Sequence, residues 1–229
     1  MGERINLNTA GMHCIGAYLA KPAGKPKGGV VVVQEIFGVN AHIRSVADGY
    51  AAHGYTAIAP AFFDFVENDV ELAYDKAGID KGRDLAMEVG LDRAIEAVAS
   101  AAESIRSSGK VGVVGYCLGG SLAYACATNP GVATDASVGY YPVQIDDYLS
   151  YAGNIDKPAL FHIAEKDGFC PPESQAKIKE ALGKNPNCTV HSYAGVDHAF
   201  AREGGANFSA EAARLANERT AAFFKKNLG

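Results

Sequence analysis

Short, unbroken runs of apolar and β-branched residues, each followed by a longer amphipathic stretch, constrain the fold more than any other feature of this sequence. The run GGVVVVQ at 28–34 predicts a strand buried on both faces, because a strand with one solvated face would alternate apolar and polar residues. The stretch HIRSVADGYAAHG that follows predicts a helix ending at Gly54. Repeated strand-then-helix units predict an α/β fold with a mostly parallel central sheet and helices on both faces.

The same alternation continues along the chain. Further strands are predicted at YTAIAP, KVGVVGY, ASVGYY, KPALFHIA and CTVHSYA, and further helices at SLAYACAT, PESQAKIKEALG and SAEAARLANERTAAFFKKNL. Within 84–106, apolar residues at helical spacing predict a helix with one buried face: Leu91, Ile95, Val98, Ala102 and Ile105. The chain has no linker-like segment or internal repeat, so we expect residues 1–229 to form one domain.

Composition argues against several functional classes. The formal net charge of −5 disfavours nucleic-acid binding, which uses clustered Lys and Arg. No apolar run approaches the roughly 18 residues of a membrane span, and the first residues lack the apolar core of a signal peptide. Five cysteines, an odd number without a C-x-x-C pair, indicate free thiols in a reducing compartment. We therefore expect a cytoplasmic protein that binds neither nucleic acid nor membrane.

Cys117 lies in GYCLGG, directly between a predicted strand and a predicted helix. The segment matches the nucleophile elbow of hydrolases, with Cys in place of the usual Ser. Glycines on either side let a tight turn approach the neighbouring backbone, and the amino end of the next helix stabilises a thiolate. The alternative is a buried cysteine with a structural role.

Charged residues follow three other predicted strands, at the edge of the sheet where α/β folds bind ligands. His198 is the candidate general base, because it lies in a loop after the last strand and follows nucleophile and acid in chain order. Asp167 is the candidate acid that orients its ring. Two alternatives remain: Glu165 lies closer to the strand, and Asp197 adjoins His198, from where its carboxylate reaches the ring poorly. Glu35 and Arg202 lie at the same edge.

Several segments together resemble the dienelactone hydrolase family of cysteine-dependent α/β-hydrolases: QEIFGVN, GYCLGG, VGYY, PALFH, the region of Asp167, HAFAR and ANERT. The resemblance runs from about residue 30 to the end. It implies an α/β-hydrolase fold and hydrolysis of a carboxylate-bearing lactone or ester through a Cys117–His198–Asp167 triad and a thiol acyl-enzyme. It also implies an oxyanion hole formed by the backbone N–H groups of Ile36 and Leu118, and no metal or organic cofactor.

The resemblance assigns roles to further residues. Glu35 and Arg202 match the family's carboxylate switch and its arginine partner, and Phe37, Tyr74 and Tyr141 match positions that line its substrate pocket. We hypothesise that Glu35 bonds the thiol in the resting enzyme and moves to Arg202 when an anionic substrate binds. The alternative is a buried Glu35–Arg202 ion pair with a structural role only.

The sequence departs from the family pattern at three positions. By count, Val70 occupies the place of a second substrate-anchoring arginine, Ala77 that of a pocket tryptophan, and Ala199 that of a serine. The candidates for a replacement cation are Arg83, Lys76 and Lys81.

A small-molecule ester or lactone is the expected partner, and the protein is expected to be a monomer or small homo-oligomer. Two other functions stay open. One is a general esterase or thioesterase acting on acyclic substrates. The other is a non-catalytic binding protein or thiol sensor on a hydrolase scaffold.

Overall fold

A single eight-stranded sheet forms the centre of the protein. The computed structural model describes residues 2–229. The strands are β1 (Glu3–Asn8), β2 (Cys14–Ala20), β3 (Gly29–Val33), β4 (Thr56–Pro60), β5 (Val111–Tyr116), β6 (Ala136–Tyr140), β7 (Ala159–Ala164) and β8 (Cys188–Tyr193). Their order is β1-β2-β4-β3-β5-β6-β7-β8. β2 pairs antiparallel with β1 and β4, and all other neighbours pair in parallel.

Helices cover both faces of this sheet. They are α1 (Ala41–Ala52), α2 (Lys76–Ser104), α3 (Leu118–Thr128), α4 (Pro172–Gly183) and α5 (Ala210–Asn227), with short 3-10 segments at Phe62–Phe65, Arg106–Ser108 and Ile145–Asn154. Val30 and Val32 pack with α1 and α5, whereas Val31 and Val33 pack with α2 and α3. Because both faces of β3 are covered, its apolar run is unbroken. The predicted parallel α/β architecture is confirmed.

The helix predicted within 84–106 is confirmed as part of the longer helix α2, and three of its five predicted apolar residues, Val98, Ala102 and Ile105, are buried. The helix begins before that stretch, at Lys76, and Gly90 interrupts it with φ 74° and ψ 165°. Leu91, which the spacing placed on the buried face, is 46% exposed. The kink turns Leu91 outward, and the buried face of the second half consists mainly of small residues centred on Ala97 and Val98.

The N-terminal hairpin of β1 and β2 was not predicted from the sequence. β1 lies at the edge of the sheet and only Leu7 of its residues is fully buried, so its apolar pattern is weak. No helix in the described part of the chain, 2–229, combines the length and the apolar character needed to cross a membrane.

Candidate active site

Cys117 lies on a tight turn between β5 and α3, with φ 55° and ψ −116°. A non-glycine residue in this left-handed region is strained, and such strain is concentrated at functional sites. A Cβ at Gly115 would lie 1.9 Å from the carbonyl oxygen of Gly119, and a Cβ at Gly119 would lie 2.3 Å from that of Val33. The turn therefore requires both glycines. Cys117 is partly exposed at the amino end of α3, unlike the buried Cys126.

The ring of His198 bonds the carboxylate of Asp167, with 2.7 Å between Nδ1 and Oδ2. Both residues are buried, with 8% of His198 and 3% of Asp167 exposed. The two alternative acids bond elsewhere. Asp197 accepts a hydrogen bond from the backbone N–H of His198 at 2.6 Å, and Glu165 accepts one from the backbone of Gly195 at 3.2 Å. Of the three candidates, Asp167 is the one whose carboxylate bonds the ring.

Opposing influences set the protonation of His198. Burial, the largest of them, disfavours the imidazolium and lowers its pKa. The hydrogen bond to Asp167 and the interaction with the Cys117 side chain together outweigh burial and raise the pKa of His198 to about 10. This environment therefore favours a proton on the ring.

Glu35 is 1% exposed, and its Oε2 lies 3.4 Å from Nη1 of Arg202. Burial raises the pKa of Glu35, while the charges of Arg202 and His198 act against this rise. The guanidinium carbon of Arg202 lies 4.3 Å from the ring centre of Tyr74 and 5.4 Å from that of Phe37, within range of cation–π attraction. Glu35 thus lies next to Arg202, an arrangement that both the second hypothesised position and the structural ion pair require.

A cavity of about 640 Å³ lies at this edge of the sheet, within the usual size of a small-molecule site. It is lined by seven of the predicted residues: Glu35, Ile36, Phe37, Cys117, Leu118, His198 and Arg202. Asp167 lies behind His198, outside the wall. No three His, Cys, Asp or Glu side chains within residues 2–229 are grouped so as to hold a metal ion.

Tyr74 and Tyr141 do not line this cavity. Tyr74 is 45% exposed, accepts a hydrogen bond from Asn40 Nδ2 at 2.9 Å, and lies against Arg202. Tyr141 is 1% exposed with φ 35°, its ring centre lies 5.1 Å from that of His198, and its buried hydroxyl has no hydrogen-bond partner within the described chain. Both therefore contact residues of the wall, Tyr74 next to Arg202 and Tyr141 next to His198.

Three further side chains line the cavity: Arg83 and Met87 of α2, and Phe169 of the loop after β7, which lies next to His198. Arg83 was predicted only as one of three candidate cations, and Met87 and Phe169 were not predicted. Lys76 forms an exposed ion pair with Asp80, and Lys81 pairs with Glu67, so each of these lysines has an acidic partner. Phe169 could have been predicted to lie near the site, because it follows the candidate acid Asp167 by two residues. No signal marked Met87, since local periodicity does not tell which side of α2 faces the cavity.

The profile of the dienelactone hydrolase family matches residues 15–228. A candidate carboxymethylenebutenolidase of Azospirillum brasilense is 45% identical over 93% of this chain and 94% of its own length. The carboxymethylenebutenolidase of Pseudomonas putida is 37% identical over 95% and 93%. The crystal structure of a candidate dienelactone hydrolase from Klebsiella pneumoniae superposes with a TM-score of 0.86 at 26% identity, covering 99% and 98%. These likenesses confirm the predicted α/β-hydrolase fold.

Proposed function

Because this chain belongs to the dienelactone hydrolase family, and is therefore a carboxylic ester hydrolase, we propose that it opens a carboxylate-bearing lactone or ester through Cys117, His198 and Asp167. The observation that carries the proposal is the 2.7 Å contact between His198 and Asp167 beside Cys117, at the wall of one cavity. Names of curated relatives, carboxymethylenebutenolidase among them, support a lactone as substrate.

The first step is attack by sulfur. The raised pKa of His198 favours the form in which the thiol proton resides on the imidazole, which leaves a thiolate at Cys117. The thiolate bonds to the carbonyl carbon, and the carbonyl oxygen takes up the negative charge. The backbone N–H groups of Ile36 and Leu118 are the proposed donors to this oxyanion. Each such donor contributes about 10²–10³ in rate.

The second step returns the proton. When the carbon–oxygen bond breaks, the imidazolium of His198 donates its proton to the leaving oxygen, and the acyl group stays on sulfur. Acylated sulfur carries no negative charge, so one of the influences that raise the pKa of His198 is removed. The ring is then the base that takes a proton from water, whose oxygen attacks the thioester. The acid leaves, and thiolate and imidazolium are restored.

Arg202 is the proposed partner of the substrate carboxylate, and Glu35 is proposed to bond the Cys117 thiol in the free enzyme and to move to Arg202 when an anionic substrate binds. A buried carboxylate beside Cys117 disfavours a second negative charge on the thiol, whereas a carboxylate held by Arg202 disfavours it less. The arrangement observed here, with 3.4 Å between Glu35 and Arg202, corresponds to the second position.

A substrate panel with matched variants tests the proposal. We expect the wild-type protein to hydrolyse carboxylate-bearing lactones faster than acyclic esters, and Cys117→Ala to lose on the order of 10³-fold or more in kcat/KM. Cys14→Ala, which removes an exposed thiol in β2, is the control and keeps full activity. Faster turnover of acyclic esters would favour a general esterase. Absence of turnover across the panel would favour a binding protein.

A further inference from the structure

The wall of the cavity next to His198 carries exposed apolar surface to which the mechanism above gives no role. Phe169 is 51% exposed and Met87 is 74% exposed, and both line the cavity. Large apolar side chains left in water at the wall of a cavity mark surface that a ligand covers.

Phe169 is held in place from three sides. Its backbone N–H donates to Oδ1 of Asp167 at 2.8 Å, which fixes the loop to the acid. Its ring meets that of His198 edge-on, with 4.8 Å between centres and 76° between planes. The guanidinium carbon of Arg83 lies 5.8 Å from the ring centre of Phe169. The ring is therefore fixed beside the imidazole, with one side open to the cavity.

The proton path decides which part of a substrate meets this ring. The leaving oxygen must lie within hydrogen-bond reach of His198 to receive its proton. The group attached to that oxygen, the alcohol portion of an ester, consequently lies on the His198 side of the cavity. The acyl portion lies on the other side, with Cys117 and Arg202.

We propose that Phe169 and Met87 bind the alcohol portion of an acyclic ester and that, among acyclic esters of one acid, this enzyme prefers those whose alcohol carries an aromatic ring. This inference rests on the proposed function, since it takes the direction of the leaving group from it. An aromatic ring packs edge-on against Phe169 and contacts the thioether of Met87, both favourable contacts. Arg83 has no ion pair within residues 2–229, and its guanidinium adds cation–π attraction at the outer end.

A kinetic comparison tests the preference without interference from general losses of activity. The ratio of kcat/KM for benzyl acetate over ethyl acetate compares two esters of one acid with similar alkoxide leaving groups. We expect this ratio to fall by about tenfold in Phe169→Ala, which removes one aromatic contact and its buried area. Met87→Gln keeps the length of the side chain on an exposed helix position, so it folds, and lowers the ratio as well. Tyr151→Ala, a 54% exposed aromatic outside the cavity, leaves the ratio unchanged. An unchanged ratio in Met87→Gln and in Phe169→Ala would overturn the inference.

A binding measurement separates this inference from the proposed function. The chain has three methionines, so methyl NMR resolves Met87, whose signal is assigned by its loss in Met87→Gln. Titration with benzyl alcohol is expected to shift the Met87 methyl through the ring current and to leave the 95% exposed Met12 unmoved. A shift in a protein that hydrolyses no ester would sink the proposed function and keep the aromatic subsite. Hydrolysis of esters with no shift of the Met87 methyl at high concentrations of benzyl alcohol would overturn the aromatic subsite and keep the proposed function.

Discussion

Replacing Asp167 by Asn removes the buried anion beside His198 and keeps the shape of its side chain. Asp167 is 3% exposed, and its Oδ2 lies 2.7 Å from the ring nitrogen. A hydrogen bond to a charged group contributes about 1.5–3 kcal/mol. Since about 1.4 kcal/mol is a factor of ten, the equilibrium between thiolate–imidazolium and thiol–imidazole moves about 10- to 150-fold toward the uncharged pair.

Alkylation of Cys117 by iodoacetamide measures this equilibrium, because the thiolate is the reacting form. Peptide mass spectrometry follows the reaction at pH 7, and we expect Cys117 to react at least about tenfold more slowly in Asp167→Asn than in the wild type. Exposed Cys14 in the same molecule is the internal reference. Asp197→Asn is the matched control, because Asp197 bonds the backbone of His198 rather than its ring.

The pH dependence follows from the same contact. Since the pKa of His198 is raised from 6.5 to about 10, its contribution to folding stability is complete below about pH 6.5 and is lost as the pH rises through about 10. Asp167→Asn should therefore lose stability relative to the wild type mainly at neutral and lower pH.

Equal alkylation rates of Cys117 in Asp167→Asn and wild type, with Cys14 unaffected, would refute the reasoning.

Four further substitutions give outcomes of known sign. Glu35→Gln removes a carboxylate that disfavours a thiolate, so the curve of Cys117 alkylation against pH is expected to move to lower pH; an unmoved curve contradicts the two-position role. Gly119→Ala places a Cβ 2.3 Å from a main-chain oxygen of β3 and should lower the free energy of unfolding, measured in urea, by about 3 kcal/mol. Gly49→Ala has open space around it in α1 and should raise the free energy of unfolding by about 0.5–1 kcal/mol. Tyr141→Phe removes a buried hydroxyl without a partner and should raise the free energy of unfolding by about 1–3 kcal/mol; a loss of stability would show that the hydroxyl is bonded.

Some parts of the fold were predictable from one short segment, because the structural requirement lies within that segment. The Val run of β3 could be interpreted because every residue in it is buried. The turn at Cys117 could be predicted because its glycines are required by nearby backbone. A Cβ at Gly115 would lie 1.9 Å from a main-chain oxygen. The pairing of Asp167 with His198 joins distant segments, and it was predictable only through the chain order of a nucleophile, an acid and a histidine.

Features that depend on contacts between distant elements were not predictable. The hairpin of β1 and β2 is fixed by the rest of the molecule, for example by Asp48 of α1, which accepts hydrogen bonds from the hydroxyl of Tyr18 and the backbone of Gly2. Gly90 lies inside the stretch whose apolar spacing predicts a helix, and that spacing does not reveal the interruption at its φ of 74°. The contact of Phe169 with Arg83 joins a loop to a helix face that no local pattern specifies.

Formation of a covalent acyl group on Cys117 tests the central claim most directly. In a rapid-quench experiment with p-nitrophenyl acetate, mass spectrometry of the digested wild-type protein is expected to find one acetyl group on the peptide that contains Cys117. The adduct should form as p-nitrophenolate is released and decay as turnover ends, and Cys117→Ala should neither form it nor hydrolyse the ester. Steady hydrolysis by the wild type with no acyl group on Cys117 at any time point, and with activity retained in Cys117→Ala, would contradict the account.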